Sequence, residues 1–158
     1  MAVDELRTAN PRAELVVEAN QPLSGMWDPD RLAQVASNLI GNAVVHGTGR
    51  VDIRVARRGG EAILEVHNAG PPIPADVVPR IFEAFERPAR DMPARSAGLG
   101  LGLFIAERIV VAHGGKIEVR STAAEGTTFS VALPAALPQP MQSPAVDADP
   151  PSTRFAVG

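Results

Sequence analysis

Apolar and polar positions along the chain follow two periodicities. Between residues 29 and 46, Leu32, Val35, Ala36, Leu39 and Ala43 recur at helical spacing and make one apolar face. Asp28 stands before them as an N-cap, Pro29 takes the first helical position, and Gly47 with Gly49 ends the run, which predicts a helix from residue 29. Strict alternation replaces this pattern in "RVDIRVARR" and "EAILEVHN", which flank Gly59 and Gly60 and predict a β-hairpin. "AELVVEA", residues 13 to 19, reads as a short extended segment, and "GKIEVRS" and "GTTFSVALP" read as two further strands about a turn. Leu103, Ile105, Ile109 and Val110 place a second helix directly after the glycines of "GLGLGL". The order strand, helix, hairpin, loop, helix, hairpin predicts an α+β fold with a mixed, mostly antiparallel sheet and its helices on one face.

Composition limits this picture to one domain: 158 residues, 45% of them hydrophobic and 21% charged, supply one core. The pattern fades after Leu133, and residues 134–158 hold six of the 15 prolines with few large side chains, which reads as a disordered tail. A formal charge of -3, from 15 basic and 18 acidic residues, gives no support for a broad nucleic-acid surface, so any anion site must be local. The absence of cysteine excludes disulfides and thiolate metal sites. The sequence shows no signal-like segment and no apolar run of bilayer length, so the chain is expected to be cytoplasmic, without direct membrane contact.

Three constellations carry candidate chemistry. Asn38, Asn42 and His46 are spaced i, i+4, i+8 and form one polar stripe on the first helix. Amide oxygens suit a Mg²⁺ ion that keeps most of its waters and binds phosphate, although a solvated helix face has the same spacing. "HNAGPPIP", residues 67 to 74, puts Asn68 at a strand end, where its amide can address a planar base edge while Gly70 lets the backbone pass close; an ordinary loop is the alternative. Gly98, Gly100 and Gly102 precede a helix, where bare backbone N–H groups suit phosphate, or else act as a hinge. The lysine and hydroxyl residue of a Walker-type loop are missing, and no strand precedes the glycines as a dinucleotide fingerprint requires.

In this order, the segments resemble the ATP-binding catalytic domain of bacterial sensor histidine kinases, within the group shared with gyrase, a heat-shock chaperone and mismatch-repair ATPases. "DPDRLAQVASNLIGNAVVHG" resembles the asparagine box, "HNAGPPIP" the first glycine box, "RIFEAFER" the phenylalanine box, "GLGLGL" the second glycine box, and "EGTTF" the final adenine-side motif. The resemblance covers residues 13–133 and implies a two-layer α/β sandwich of the Bergerat type, with ATP between the first long helix and a lid over about residues 86 to 98. It implies Asn42 as the Mg²⁺ ligand and Asn38 at the position that holds a glutamate base in ATP-hydrolysing relatives. It further implies nucleotide contacts from His46, Asn68, Gly70, Gly98, Leu99, Gly100, Leu101, Gly102, Leu103 and Thr127, and puts Phe82 and Phe85 at the lid hinge or simply in the core; Arg87, Arg90 or Arg95 of the lid is a candidate phosphate cation, with a solvated basic loop as the alternative.

This chain departs from that pattern at three positions. Val45 stands where many relatives carry a lysine, Pro72 where a second glycine is usual, and Asn68 where an aspartate accepts a hydrogen bond from the adenine amino group. An amide that can turn to donate is expected to relax base discrimination toward guanine. None of His46, His67 and His113 lies in a phosphoacceptor motif, and residues 1–12 resemble the junction to a dimerisation hairpin, so the chain is expected to carry the phosphate donor site and to act on a hairpin histidine, upstream of a response regulator. The isolated domain is expected to be monomeric. An anti-sigma-factor type serine kinase, or a nucleotide-binding interaction module without catalysis, are the competing classes.

Overall fold

The computed structural model of the chain describes residues 3–84 and 100–136. A short helix α1 (Val3–Ala9) leads into strand β1 (Glu14–Ala19), and helix α2 (Pro29–His46) crosses to β2 (Arg50–Arg58). Strand β3 (Glu61–Asn68) returns as a hairpin, helix α3 (Gly102–Ala112) follows, and β4 (Lys116–Thr122) with β5 (Gly126–Pro134) closes the sheet. α1 carries no apolar periodicity that would have announced it in the sequence.

The sheet order is β1-β2-β3-β5-β4. β1 and β2 are parallel, with α2 supplying the crossover that such a pair needs, and every other pair is antiparallel. This is the mixed, mostly antiparallel sheet that the alternation of hairpins and helices predicted. Gly59, at φ 60°, makes the left-handed turn between β2 and β3.

α2 begins as the sequence suggests. The Asp28 carboxylate accepts from the backbone N–H groups of Asp30 at 3.0 Å and Arg31 at 3.2 Å, and Pro29 gives up only a donor that would lack a helical partner anyway. α3 ends in a Schellman turn: Gly114, at φ 75°, donates to Val111 O, and Gly115 donates to Val110 O, both at 3.0 Å.

The core lies between the two longer helices and one face of the sheet. Val35, Leu39, Ile40 and Ala43 of α2 and Ala106, Ile109 and Val110 of α3 pack with Val51, Ile53, Val66, Phe129 and Val131. Phe129 is fully buried and meets Phe82 edge-on, with ring centroids 6.2 Å apart at 76°, so Phe82 is a core residue. The opposite sheet face is polar and carries ion pairs of Arg54 with Glu18 and Glu65, and of Arg58 with Glu65. The arginines and Glu18 are exposed and Glu65 is partly buried, and such surface pairs contribute little to stability.

The chain beyond Leu133 stays attached for several residues. Trp27 Nε1 donates to Pro134 O at 2.9 Å, Ala135 N to Gly60 O at 2.8 Å, and Ala136 N to Ser24 O at 2.9 Å. Pro134 therefore belongs to β5, and the ordered domain reaches at least Ala136. Residues 137–158, the greater part of the expected tail, lie outside the described residues.

Candidate functional site

The polar stripe of α2 faces two other segments. At its near end, Asn38 Nδ2 donates to the carbonyl of Gly102 at 3.0 Å and so ties α2 to the first residue of α3. At its far end, the backbone meets the loop after β3, where a Cβ on Gly70 would stand 2.8 Å from His46 O. Gly70 also adopts φ 145°, so glycine is required there by both conformation and space. From Asn38 to His46 the stripe spans about 12 Å at the helical rise, with Asn42 midway and half-buried. Burial lowers the pKa of His46 below its ordinary value, which keeps the ring uncharged near neutral pH.

At the N-terminus of α3, Leu101 occupies the cap position without a side-chain cap, and Gly100 is left-handed at φ 72°. The first-turn N–H groups thus lack helical partners, and among the described residues no side-chain cap meets them. Leu101, Gly102 and Leu103 are all partly exposed. Of the candidate residues in this segment, Gly98 and Leu99 lie outside the described residues, as do Arg87, Phe85 and the expected lid.

Asn68 and Thr127 are the two buried polar residues of the described chain, at 2% and 5% exposure, and they are register partners on β3 and β5. Asn68 Nδ2 donates to the carbonyl of Ala69 at 3.2 Å, which leaves Oδ1 as the atom free to accept. A turned amide would set that oxygen against another acceptor. This bond favours the orientation in which Oδ1 accepts as a carboxylate oxygen would, and the second Nδ2 proton remains a donor.

The neighbourhood of Asn68 explains two glycines. A Cβ on Gly47 would come within 2.9 Å of Asn68 Cβ, and Gly126, at φ 78°, packs directly against the Asn68 carbonyl. Thr48 N donates to Ala69 O at 3.1 Å, so the end of α2 and the loop after β3 form one joined corner.

Sequence reasoning missed Ser121. Its Oγ accepts from Ile73 N at 2.8 Å and lies 2.7 Å from Thr127 Oγ1. It sits at an inward position of a predicted strand, where an apolar residue is the usual occupant, and that substitution is the signal that could have found it. Val45 is 40% exposed, and Pro72 is exposed beside the loop that holds Ile73.

Among the described residues no three His, Cys, Asp or Glu side chains converge to hold a metal ion. The donors at the site are instead neutral amides, a set that fits a cation bringing its own waters and phosphate oxygens. No helix among the described residues is long and apolar enough to cross a membrane.

The chain is similar to known proteins over most of its length. The signal transduction histidine-protein kinase AfsQ2 of Streptomyces coelicolor is 39% identical over 118 residues, which are 75% of this chain and 22% of AfsQ2. The chain thus spans about a fifth of that relative. The structure of the mycobacterial sensor histidine kinase MprB superposes with a TM-score of 0.73 at 29% identity, covering 84% of this chain and 90% of the other. Full-length ShkA in complex with AMPPNP gives a TM-score of 0.69 at 33% identity, covering 84% of this chain and 28% of the other. Residues 27–137 match the family described as histidine kinase-, DNA gyrase B- and HSP90-like ATPase, and the chain belongs to that family, on the histidine kinase branch.

Proposed function

We propose that the region bounded by α2, the loop after β3 and the N-terminus of α3 binds ATP with Mg²⁺, and that the domain passes the γ-phosphate to a histidine on a separate dimerisation hairpin. The observation that carries this reading is the pairing of Asn68 and Thr127, two buried polar side chains in register at the sheet end nearest the close of α2. The free Asn68 Oδ1 is suited to accept from the exocyclic amine of adenine, whereas the guanine oxygen would oppose it. About 12 Å away along α2, the N-terminus of α3 offers donors and a positive dipole end to phosphate. The polar stripe of α2 spans the distance between them, on the order of the length of a nucleoside triphosphate.

Asn42 would hold the Mg²⁺ through its amide oxygen, together with His46 and Gly70 framing the nucleotide; when bound, the ion supplies charge neutralisation on the phosphate oxygens. Asn38 commits its nitrogen to Gly102 and carries no titrating group, so it cannot act as a base on water. That favours transfer over hydrolysis. In the transfer, the bond between the γ-phosphorus and its bridging oxygen breaks, ADP leaves, and a lone pair of the acceptor imidazole forms the new phosphorus–nitrogen bond. The hairpin and the response regulator that receives the phosphoryl group next are supplied by other chains or segments. The naming of the relatives as histidine kinases supports this class over a serine kinase of the same fold.

Calorimetric titration with ATP, with and without Mg²⁺, tests the reading. Metal-dependent binding that Asn42→Ala abolishes supports it, with GTP failing to compete at large excess. Absence of binding at millimolar ATP overturns it and favours an interaction module.

A further inference from the structure

We propose that Ser121 is a positioning residue of the base-side wall, acting on a bound base through the hydroxyl of Thr127 and through the loop that carries Ile73; the proposal rests on the nucleotide-binding reading above. The register of three strands brings the relevant side chains together. Ser121 of β4 faces Thr127 of β5, and Thr127 faces Asn68 of β3, so the three side chains form one row on the helix-covered face of the sheet. The next inward row is Val119, Phe129 and Val66, and the one after it is Ile117, Val131 and Leu64. On β3, β5 and β4 two apolar rows give way abruptly to a polar one, while the same row continues as buried Val51 and Leu15 on β2 and β1. A sheet end serving only the core would continue the apolar pattern, because each buried polar group must find a partner at a cost.

Ser121 satisfies that row from its edge. The Ile73 amide can only donate, so it occupies one lone pair of Ser121 Oγ at 2.8 Å. The remaining hydroxyl capacity meets Thr127 Oγ1 at 2.7 Å. Whichever hydroxyl donates, the contact holds the Thr127 oxygen in place and leaves its remaining hydrogen-bonding capacity free for a ligand. Asn68 Oδ1 stands beside it as an acceptor, with Nδ2 giving one of its two protons to Ala69 O. Ser121 therefore links both sides of the base wall, the sheet through Thr127 and the loop through Ile73, without itself needing to touch the base.

The test separates base from phosphate recognition. Titrations of the full chain use three probes, ATP, adenosine and inorganic tripolyphosphate, against Ser121→Ala, Thr127→Val and the double variant. Ser121→Ala is expected to weaken ATP and adenosine by the same factor, about fivefold to tenfold, with tripolyphosphate unchanged. The double variant is expected to lose less than the product of the single losses, because one residue acts through the other. Ser121→Thr, which keeps the hydroxyl, is expected to restore binding. Unchanged adenosine binding in Ser121→Ala overturns the proposal, as does a parallel loss of tripolyphosphate or strict additivity in the double variant. If Ser121→Ala fails to fold, Ser121→Cys carries the same comparison, since its thiol is a weaker partner in a similar volume. A wild-type chain that binds none of the probes overturns the nucleotide-binding reading itself, an outcome distinct from failure of the Ser121 argument alone.

Discussion

His113 Nε2 accepts the backbone N–H of Asp28 at 3.1 Å, so the residue that ends α3 holds the residue that begins α2. The other ring nitrogen, Nδ1, reaches the carbonyl of Ile109 at 2.7 Å. An amide only donates and a carbonyl only accepts, which puts the ring proton on Nδ1. His113→Ala removes both bonds and is expected to cost about 1–2 kcal/mol in urea unfolding. Asp28→Ala leaves the main-chain amide in place and is expected to cost about 1 kcal/mol, through the Asp30 and Arg31 amides that lose their cap.

Gly41 lies inside α2, and a Cβ there would meet nothing within 4 Å. Gly41→Ala is expected to raise stability by about 0.5–1 kcal/mol, because glycine loses more backbone freedom on entering a helix. Thermal unfolding in the absence of nucleotide should show the higher midpoint.

Gly126 combines a left-handed backbone, φ 78°, with contact against the carbonyl of Asn68. Gly126→Ala is expected to cost more than about 1 kcal/mol, from backbone strain together with the displaced strand. Hydrogen exchange should place the loss at the β3–β5 pairing near Thr127. A loss spread evenly over the sheet would contradict the local mechanism.

Burial depresses the pKa of His46 in the folded chain below the ordinary value of 6.5. Between those two values the unfolded chain binds a proton that the folded chain does not, so stability is full above pH 6.5 and falls as the pH drops through the window. His46 is only partly buried, so the effect is expected to be small. Urea midpoints measured from pH 8 down to pH 5.5 should decline, and His46→Gln should flatten the decline.

The elements themselves were legible in the sequence. α2 begins at Pro29 under its Asp28 cap, the β2–β3 hairpin turns at Gly59 and Gly60, and α3 ends at the glycine pair after His113, because these are local effects of caps, turn chemistry and periodicity. α1 was not legible, having seven residues and no apolar stripe of its own. Asn38, Asn42 and His46 were legible as a stripe, and Asn68, Gly70 and Thr127 as members of ordered motifs. Ser121 was not, because a serine at one inward strand position is a weak signal by itself and becomes distinctive only beside Thr127 and Ile73.

The behaviour of Asn68 shows where sequence reasoning stops. Residue type alone leaves its amide free to present either end, and the prediction of relaxed base discrimination followed from that freedom. The fold limits it, because Ala69 O accepts from Nδ2 in one of the two amide orientations and would oppose Oδ1 in the other.

By itself, the sequence determined which segments become helices and strands, which face of each is apolar, and which motif order places the chain in its family. Those properties depend on side chains a few residues apart, whose spacing is fixed by the helical and strand repeats. The tertiary structure alone decided that Asn38 reaches Gly102, that Asn68, Thr127 and Ser121 share one row, and that His113 meets Asp28. Each of these contacts joins residues distant in the chain, and only the register of the sheet and the packing of α2 against α3 bring them within hydrogen-bonding distance.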